Sequence, residues 1–307
     1  MKEFILFGKD FKKVDQWQEG CWVNISNPTP DDIKFMESLN VPESFMSDIR
    51  DVDERPRTES EGDWLLTIIR LPRETGDEDI PFSTIPLGVI TNGDIVIVLC
   101  YFDNIVVNDF INYNRSKGIV IKNKFVLILR LIMSSAVWFL KFLKQINNTI
   151  NAVEDNLERR LRNDDLFRMR NLQKSLVYFN TGIRGNETLL MRMRSVYQGS
   201  PLLDMDMVED VDIELQQAYN TVNIYSNILS GTMEAFGSII SNNLNMIMKR
   251  MTSITIILQV PTLIASLYGM NVELPIDHHP WAFLIIFSSS ILLAFSAFFL
   301  FKKIKWF

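Results

Sequence analysis

A chain of 307 residues has room for one large domain or two ordinary ones, with ample length for a real core. Its formal charge of −6 and pI of about 5.1 argue against a general nucleic-acid binder. Cys21 and Cys100 form no CxxC pair and read as buried thiols, and no GxxxxGK[ST] phosphate loop appears, so the sequence shows no sign of handling nucleotide.

The opening residues, MKEFILFGKDFKK, meet charges too early for a secretory signal. Residues 1–123 read as a mixed α/β domain. WVNI at 22–25 and WLLTIIRLP at 64–72 are strand-like, rich in β-branched and aromatic residues. SNPTPDDIKFMESL at 26–39 is a turn and a helix start, with Pro30 in the first turn and Asp31 and Asp32 at the positive end of the helix dipole. IPLGVITNGDIVIVLC at 85–100 predicts a hairpin joined by Asn92-Gly93.

From residue 124 the pattern turns helical. Ile146, Ile150, Val153, Leu157 and Leu161 recur at steps of three and four; Leu172, Leu176, Phe179 and Ile183 resume the pattern after RNDD at 162–165. A helical hairpin is expected over 124–200. No strong breaker then appears between Pro201 and Pro261, so a stalk helix over 201–250 should run on into a first membrane span. A helix over 202–268 would be about 100 Å long at 1.5 Å per residue, some three membrane thicknesses.

Residues 251–270 and 282–301 carry no charge, and each has the roughly 20 residues that a membrane crossing needs. A third apolar run, 125–144, contains Arg130, Lys141 and Lys144. An arginine near mid-span is costly, so this run is expected to be a buried helix of a soluble domain. Lys249 and Arg250 precede the first span, and Lys302, Lys303 and Lys305 follow the second in a basic tail over 302–307. The loop between, 271–281, has no Lys or Arg but holds Glu273 and Asp277. The positive-inside rule puts both termini in the cytoplasm and that loop outside a cell membrane.

At heptad spacing the first span reads Asn245, Met248, Thr252, Thr255, Gln259, Thr262 and Ser266. Six of the seven are polar, the inverse of a soluble coiled coil. In lipid such groups face protein or water. Several copies could turn these stripes toward one water-filled axis; helix–helix glue is the plainer use of Ser and Thr.

The sequence resembles the CorA family of divalent metal ion channels. The resemblance is carried by YGMN at 268–271 after a first span, a short acidic loop, a second span and the ending KKIKWF. WVNISNPTPDDI at 22–33 and DVDERPRTE at 51–59 extend it over essentially the whole chain. It implies a homopentamer in the lipid bilayer, with an α/β cytoplasmic domain, a funnel of long helices and five first spans lining the pore. It implies Mg2+ as the ion, with Co2+ and Ni2+ carried by some members. The selectivity ring then falls on Gly269, Met270 and Asn271, and the pore-lining positions on Asn245, Met248, Met251, Thr255, Gln259 and Thr262. It further implies that acidic residues of neighbouring subunits hold regulatory Mg2+: Asp210 on the stalk, with Asp79 and Glu78 as partners. LPIDHHPW at 274–281 departs from the family's usual loop, and Gln259 stands where some members have Met.

The chemistry suits these residues. Mg2+ gives up its waters reluctantly, so a ring of neutral acceptors such as the Asn271 amide oxygen can hold the hydrated ion. Gly269 should let the backbone leave the helix and come close to the ion. Tyr268 should anchor the membrane interface or a neighbouring helix. Carboxylates at Glu273 and Asp277 would concentrate cations one step outside, unless they are an ordinary solvated loop. Met248 and Met251 would form apolar collars that gate by losing water. Two other readings stand beside this one. A zinc transporter of the same family would use His278 and His279 at the outer mouth. A membrane-tethered oligomeric scaffold or metal sensor would not conduct. No nucleophile–base pair suggests an enzyme.

Overall fold

A computed structural model describes residues 2–8, 11–157, 163–271, 275–276, 279–304 and 306. The chain forms two compact units, 1–231 and 232–307. Leu161, Glu273, Asp277, His278 and Lys305, all named in the sequence reading, lie outside the described residues.

In the first unit the strands are β1 (Lys2–Leu6), β2 (Lys13–Val14), β3 (Cys21–Ser26), β4 (Arg57–Glu61), β5 (Trp64–Glu74), β6 (Phe82–Asn92) and β7 (Ile95–Cys100). They make one sheet in the order β2-β1-β3-β7-β6-β5-β4. Only β3 and β7 run parallel; every other neighbouring pair is antiparallel. The β6–β7 hairpin pairs Asn92 with Ile95, so its two-residue loop is Gly93-Asp94, one step later than expected. The left-handed φ of +54° falls on Gly93, where no Cβ opposes it.

Helices cover both faces of the sheet. On one lie α1 (Pro30–Ser38) and α2 (Glu43–Arg50), where Met36, Phe45 and Ile49 pack on Val23, Ile25, Leu66 and Ile97. The start of α1 was legible: Thr29 and Asp32 form a reciprocal capping box, with Pro30 at the first helical position. On the other face lie α3 (Val106–Lys117), α4 (Lys124–Leu157) and α5 (Asn163–Val196). Trp22 meets Phe110 of α3 edge-on, while Phe82 of β6 meets Phe142 of α4 and Phe179 of α5. Neighbours Trp22 and Val23 thus feed opposite cores, the period-2 rule of a strand buried on both sides.

Among the described residues three helices are long and apolar enough to cross a membrane: α4, α6 (Met205–Tyr268) and α7 (Ala282–Lys303). The apolar window of α4 is 61% buried in the protein, against 6% for the others. Leu127, Leu131, Ile132, Phe139, Leu143 and Ile146 are wholly buried in the first unit. Thus α4 is a core helix, as its charges indicated.

On α5, the segment Gly182-Ile183-Arg184-Gly185-Asn186 sits unusually close to its neighbours. A Cβ at Gly182 would lie 3.0 Å from Thr84 Cγ2, and one at Gly185 would lie 2.6 Å from Pro56 Cγ. Asn186 then reaches the free edge of β5. The Arg70 N–H donates to Asn186 Oδ1 at 2.8 Å, and Asn186 Nδ2 donates to Arg70 O at 2.8 Å. The side-chain amide replaces a missing strand, because β4 pairs no further along β5 than Ile68. The Arg70 side chain in turn ties the 51–56 loop, donating to Val52 O at 2.5 Å and Glu54 O at 3.0 Å.

Asp204 caps α6, accepting from Met207 N–H at 3.2 Å, so the helix begins at Met205, three residues after the expected start. It is one element of 64 residues that begins in the first unit and ends in the second. Pro261 interrupts its backbone bonding but not its course.

Candidate functional site

The second unit contains the end of α6, the described part of the loop, and α7. At 100° per residue, Asn245, Met248, Met251, Thr252, Thr255, Gln259, Thr262 and Ser266 share one face of α6, within an arc of about 120°. All eight side chains are exposed in the single chain. Gln259, Thr262 and Ser266 line a shallow groove with Ile256, Val260 and Leu263.

The opposite side of α6 is apolar and faces α7. Pro261, Ile264 and Tyr268 line a crevice there with Ala282, Ile286 and Ser290. Ser253, buried, and Ile257, half-buried, lie on the same side. The stripe therefore points away from α7, so the two spans of one chain leave the polar face uncovered.

Two hydroxyls on the stripe are turned back on the helix. Thr255 donates to Met251 O at 2.9 Å and Thr262 to Leu258 O at 3.0 Å. Their protons are thus used within the helix, and their oxygen lone pairs face outward as acceptors. Water molecules around a cation present hydrogens outward, so an acceptor-rich wall matches a hydrated cation.

Gly269, Met270 and Asn271 directly follow the last residue of α6, and all three are exposed. Gly269 is the first residue past α6, and it leaves the helix without a left-handed conformation. Its φ is ordinary, and its N–H still donates to Ala265 O at 3.0 Å. Its use is close approach: a Cβ would stand 3.3 Å from that same carbonyl. Tyr268 Oη donates to Pro275 O at 3.3 Å, so this residue ties the loop that follows while its ring lines the crevice against α7. His279 Nδ1 accepts from the Trp281 N–H at 3.2 Å, which commits one ring nitrogen to the start of α7.

The suggested regulatory acids lie in the first unit. Glu78 and Asp79 belong to the β5–β6 loop. There Thr75 N–H donates to Pro81 O and Asp79 N–H to Asp77 Oδ1, each at 2.9 Å. Asn171 of α5 braces this loop, donating to Glu78 O at 2.9 Å. Asp210 is exposed on α6, two residues past Val208, which is buried. One chain brings Glu78 and Asp79 together but shows no bond from either to Asp210. Among the described residues no group of three or more His, Cys, Asp or Glu could hold a metal ion.

Burial leaves the cysteines inert: both are free and buried, and the Cys100 thiol is pushed up to about 11 by desolvation. The sequence reading missed the Asn186–Arg70 clamp and the tie from Tyr268 to the loop. Gly182 and Gly185, three residues apart inside a helix that they weaken by about 1 kcal/mol each, were the available signal for the first.

A family model, that of the CorA-like Mg2+ transporter protein, matches residues 17–303. A cobalt/magnesium transport protein CorA of Methanocaldococcus jannaschii is 22% identical over 294 residues, covering 93% of this chain and 90% of that one. The protein of the same description from Thermotoga maritima is 26% identical over 299 residues, covering 93% and 83%. The complete structure of the CorA magnesium transporter from M. jannaschii superposes with a TM-score of 0.86 at 20% identity, over 100% of this chain and 99% of that one. From its α/β unit through its two C-terminal apolar helices, this chain belongs to the CorA-like Mg2+ transporter family.

Proposed function

We propose that five copies of this chain form a channel that admits hydrated Mg2+, with Co2+ and Ni2+ beside it, down the electrochemical gradient. The supporting observation is the polar stripe of α6, exposed and turned away from α7. Five stripes around one axis give rings of Ser266, Thr262, Gln259 and Thr255, closed outside by Gly269, Met270 and Asn271. Asn245 stands at the inner end, and Met248 and Met251 there form apolar collars that gate by dewetting. Residues 1–123, the hairpin 124–200 and the stalk 201–250 are then cytoplasmic, as is the tail 302–307. The loop 271–281 is outside, and its Glu273 and Asp277 draw cations to the mouth.

No nucleotide is needed. A divalent ion gains roughly 4.6 kcal/mol per 100 mV of inside-negative potential, twice the single-charge value. Shut-off would come from Mg2+ held between Asp210 of one copy and Glu78 and Asp79 of the next. Magnesium fits better than zinc, because the Gly269-Met270-Asn271 run is intact.

Reconstituted liposomes test the reading. Mg2+ uptake should follow an imposed inside-negative potential, exceed Zn2+ uptake, and leave an internal pH dye unmoved. Asn271→Ala should abolish the preference for Mg2+. Uptake indifferent to Asn271→Ala, or no uptake by an inserted oligomer, would leave the scaffold reading in its place; proton-linked Zn2+ flux would establish the zinc reading.

A further inference from the structure

The inner end of the second unit carries four exposed cations, Lys249 and Arg250 on α6 and Lys302 and Lys303 on α7. They reach one level by equal arms. Lys249 lies 19 residues before the end of α6 and Lys302 lies 20 residues after the start of α7. These are about 29 and 30 Å of helix. The end of α6 and the start of α7 line one crevice and are joined by a short loop, so the two helices are taken to run antiparallel.

No acidic side chain neighbours these cations along the sequence. The sequence has none between Glu234 and Glu273 and none after Asp277. Among the described residues no salt bridge involves any of the four. Among the described residues Arg250 makes one polar contact, donating to the Met246 sulfur at 3.8 Å. A helix dipole accounts for Lys302 and Lys303 in the last turn of α7, but not for Lys249 and Arg250 in mid-helix. Arg250 projects on the crevice side of α6, about 40° round the helix from Ile264. The tail folds back beside them: Trp306 stacks on Phe301 at 5.5 Å and 25°. An indole at that level is the usual mark of a membrane interface.

We infer that Arg250, Lys302 and Lys303, with Lys249 beside them, bind the headgroup of an anionic phospholipid of the cytoplasmic leaflet at the inner ends of α6 and α7. This rests on the second unit spanning the membrane with that end inside. Arginine supplies a planar fork for phosphate oxygens and the lysines supply point charges.

The full chain, purified in detergent, is titrated with phosphatidylglycerol or phosphatidylcholine. Retained lipid is read by native mass spectrometry and stability by thermal unfolding. Phosphatidylglycerol should be retained in preference, raise the unfolding temperature more, and lose its advantage in high salt. The triple variant R250Q/K302Q/K303Q should lose roughly fivefold of that preference per charge removed. The charge-keeping variant R250K/K302R/K303R should retain it. Equal retention of the two lipids by the unmodified chain, or an undiminished preference in the triple variant, overturns the inference. Neither readout involves ion flux. Insertion into neutral-lipid nanodiscs is checked in parallel: insertion without lipid preference sinks this inference alone, whereas failure to insert sinks the membrane reading on which it stands.

Discussion

Asn186 is wholly buried, and its amide satisfies both backbone groups of Arg70 while also facing Ser135 Oγ at 3.3 Å. Ser135 Oγ donates to the same Arg70 carbonyl at 2.7 Å. One side chain thus joins β5, α4 and α5. A leucine of similar volume would leave the Arg70 N–H buried without a partner, at about 1–3 kcal/mol, and would lose the amide's other bonds. Asn186→Leu should therefore lower stability by about 2–4 kcal/mol in chemical unfolding. Thr181→Ala, on the exposed side of the same helix, should stay within about 0.5 kcal/mol. Equal effects would show that the clamp is not what holds α5 to the sheet. Gly182 and Gly185 mark a close approach of α5, but the sequence does not name Arg70 as the partner of Asn186, because they are 116 residues apart and the pairing depends on where β4 stops. The N-cap at Thr29 was legible because both of its partners lie within three residues.

At the scale of the element, α4 and α6 show what periodicity can and cannot decide. Both contain apolar windows fit for a membrane, and the charges of α4 were enough to assign it to a core. On α6 the informative feature is a phase: polar residues at heptad spacing on one face and apolar residues behind them. Rotating one residue out of phase should therefore matter more than changing composition. Exchanging Leu258 and Gln259 keeps the composition but moves the carboxamide about 100° round the helix. Mg2+ flux should fall on the order of tenfold, equivalent to about 1.4 kcal/mol at the barrier, while insertion and oligomer size stay unchanged. Unaltered flux would detach Gln259 from the ion path. The end of the helix was less legible. Glycine after an apolar run suggests a left-handed cap, yet Gly269 continues the helical bond to Ala265. What favours glycine is the nearness of that carbonyl, 3.3 Å from where a Cβ would stand, which only the folded turn reveals.

For the whole molecule the open question is how many chains complete the site. The fold of one chain is a member's fold, and its α/β unit, long helix and apolar pair were legible from alternation, helical spacing and charge-free runs. The regulatory site was not, because its proposed ligands come from different copies, and a metal between copies leaves no mark on the spacing within one. In the single chain Glu78 and Asp79 are braced by Asn171, and Asp210 is exposed on α6 with Asp206 and Glu214 one turn away. Carboxylates brought face to face by assembly repel unless a divalent ion lies between them. Removing Mg2+ with a chelator should therefore lower the thermal stability of the assembled protein, and restoring millimolar Mg2+ should recover it. Asp210→Lys replaces one carboxylate with a fixed cation, which supplies the missing attraction without metal. Its unfolding temperature should no longer depend on Mg2+, and in patch recordings its currents should no longer shut when Mg2+ is added to the cytoplasmic face. Asn271→Ala should behave oppositely, losing ion discrimination but keeping Mg2+-dependent stability, because it changes the proposed filter and not the proposed sensor. If Asp210→Lys shuts off normally, the ligands lie elsewhere on the assembly. If both variants lose Mg2+-dependent stability together, the stabilising ion sits in the pore, and regulation between copies fails as the explanation.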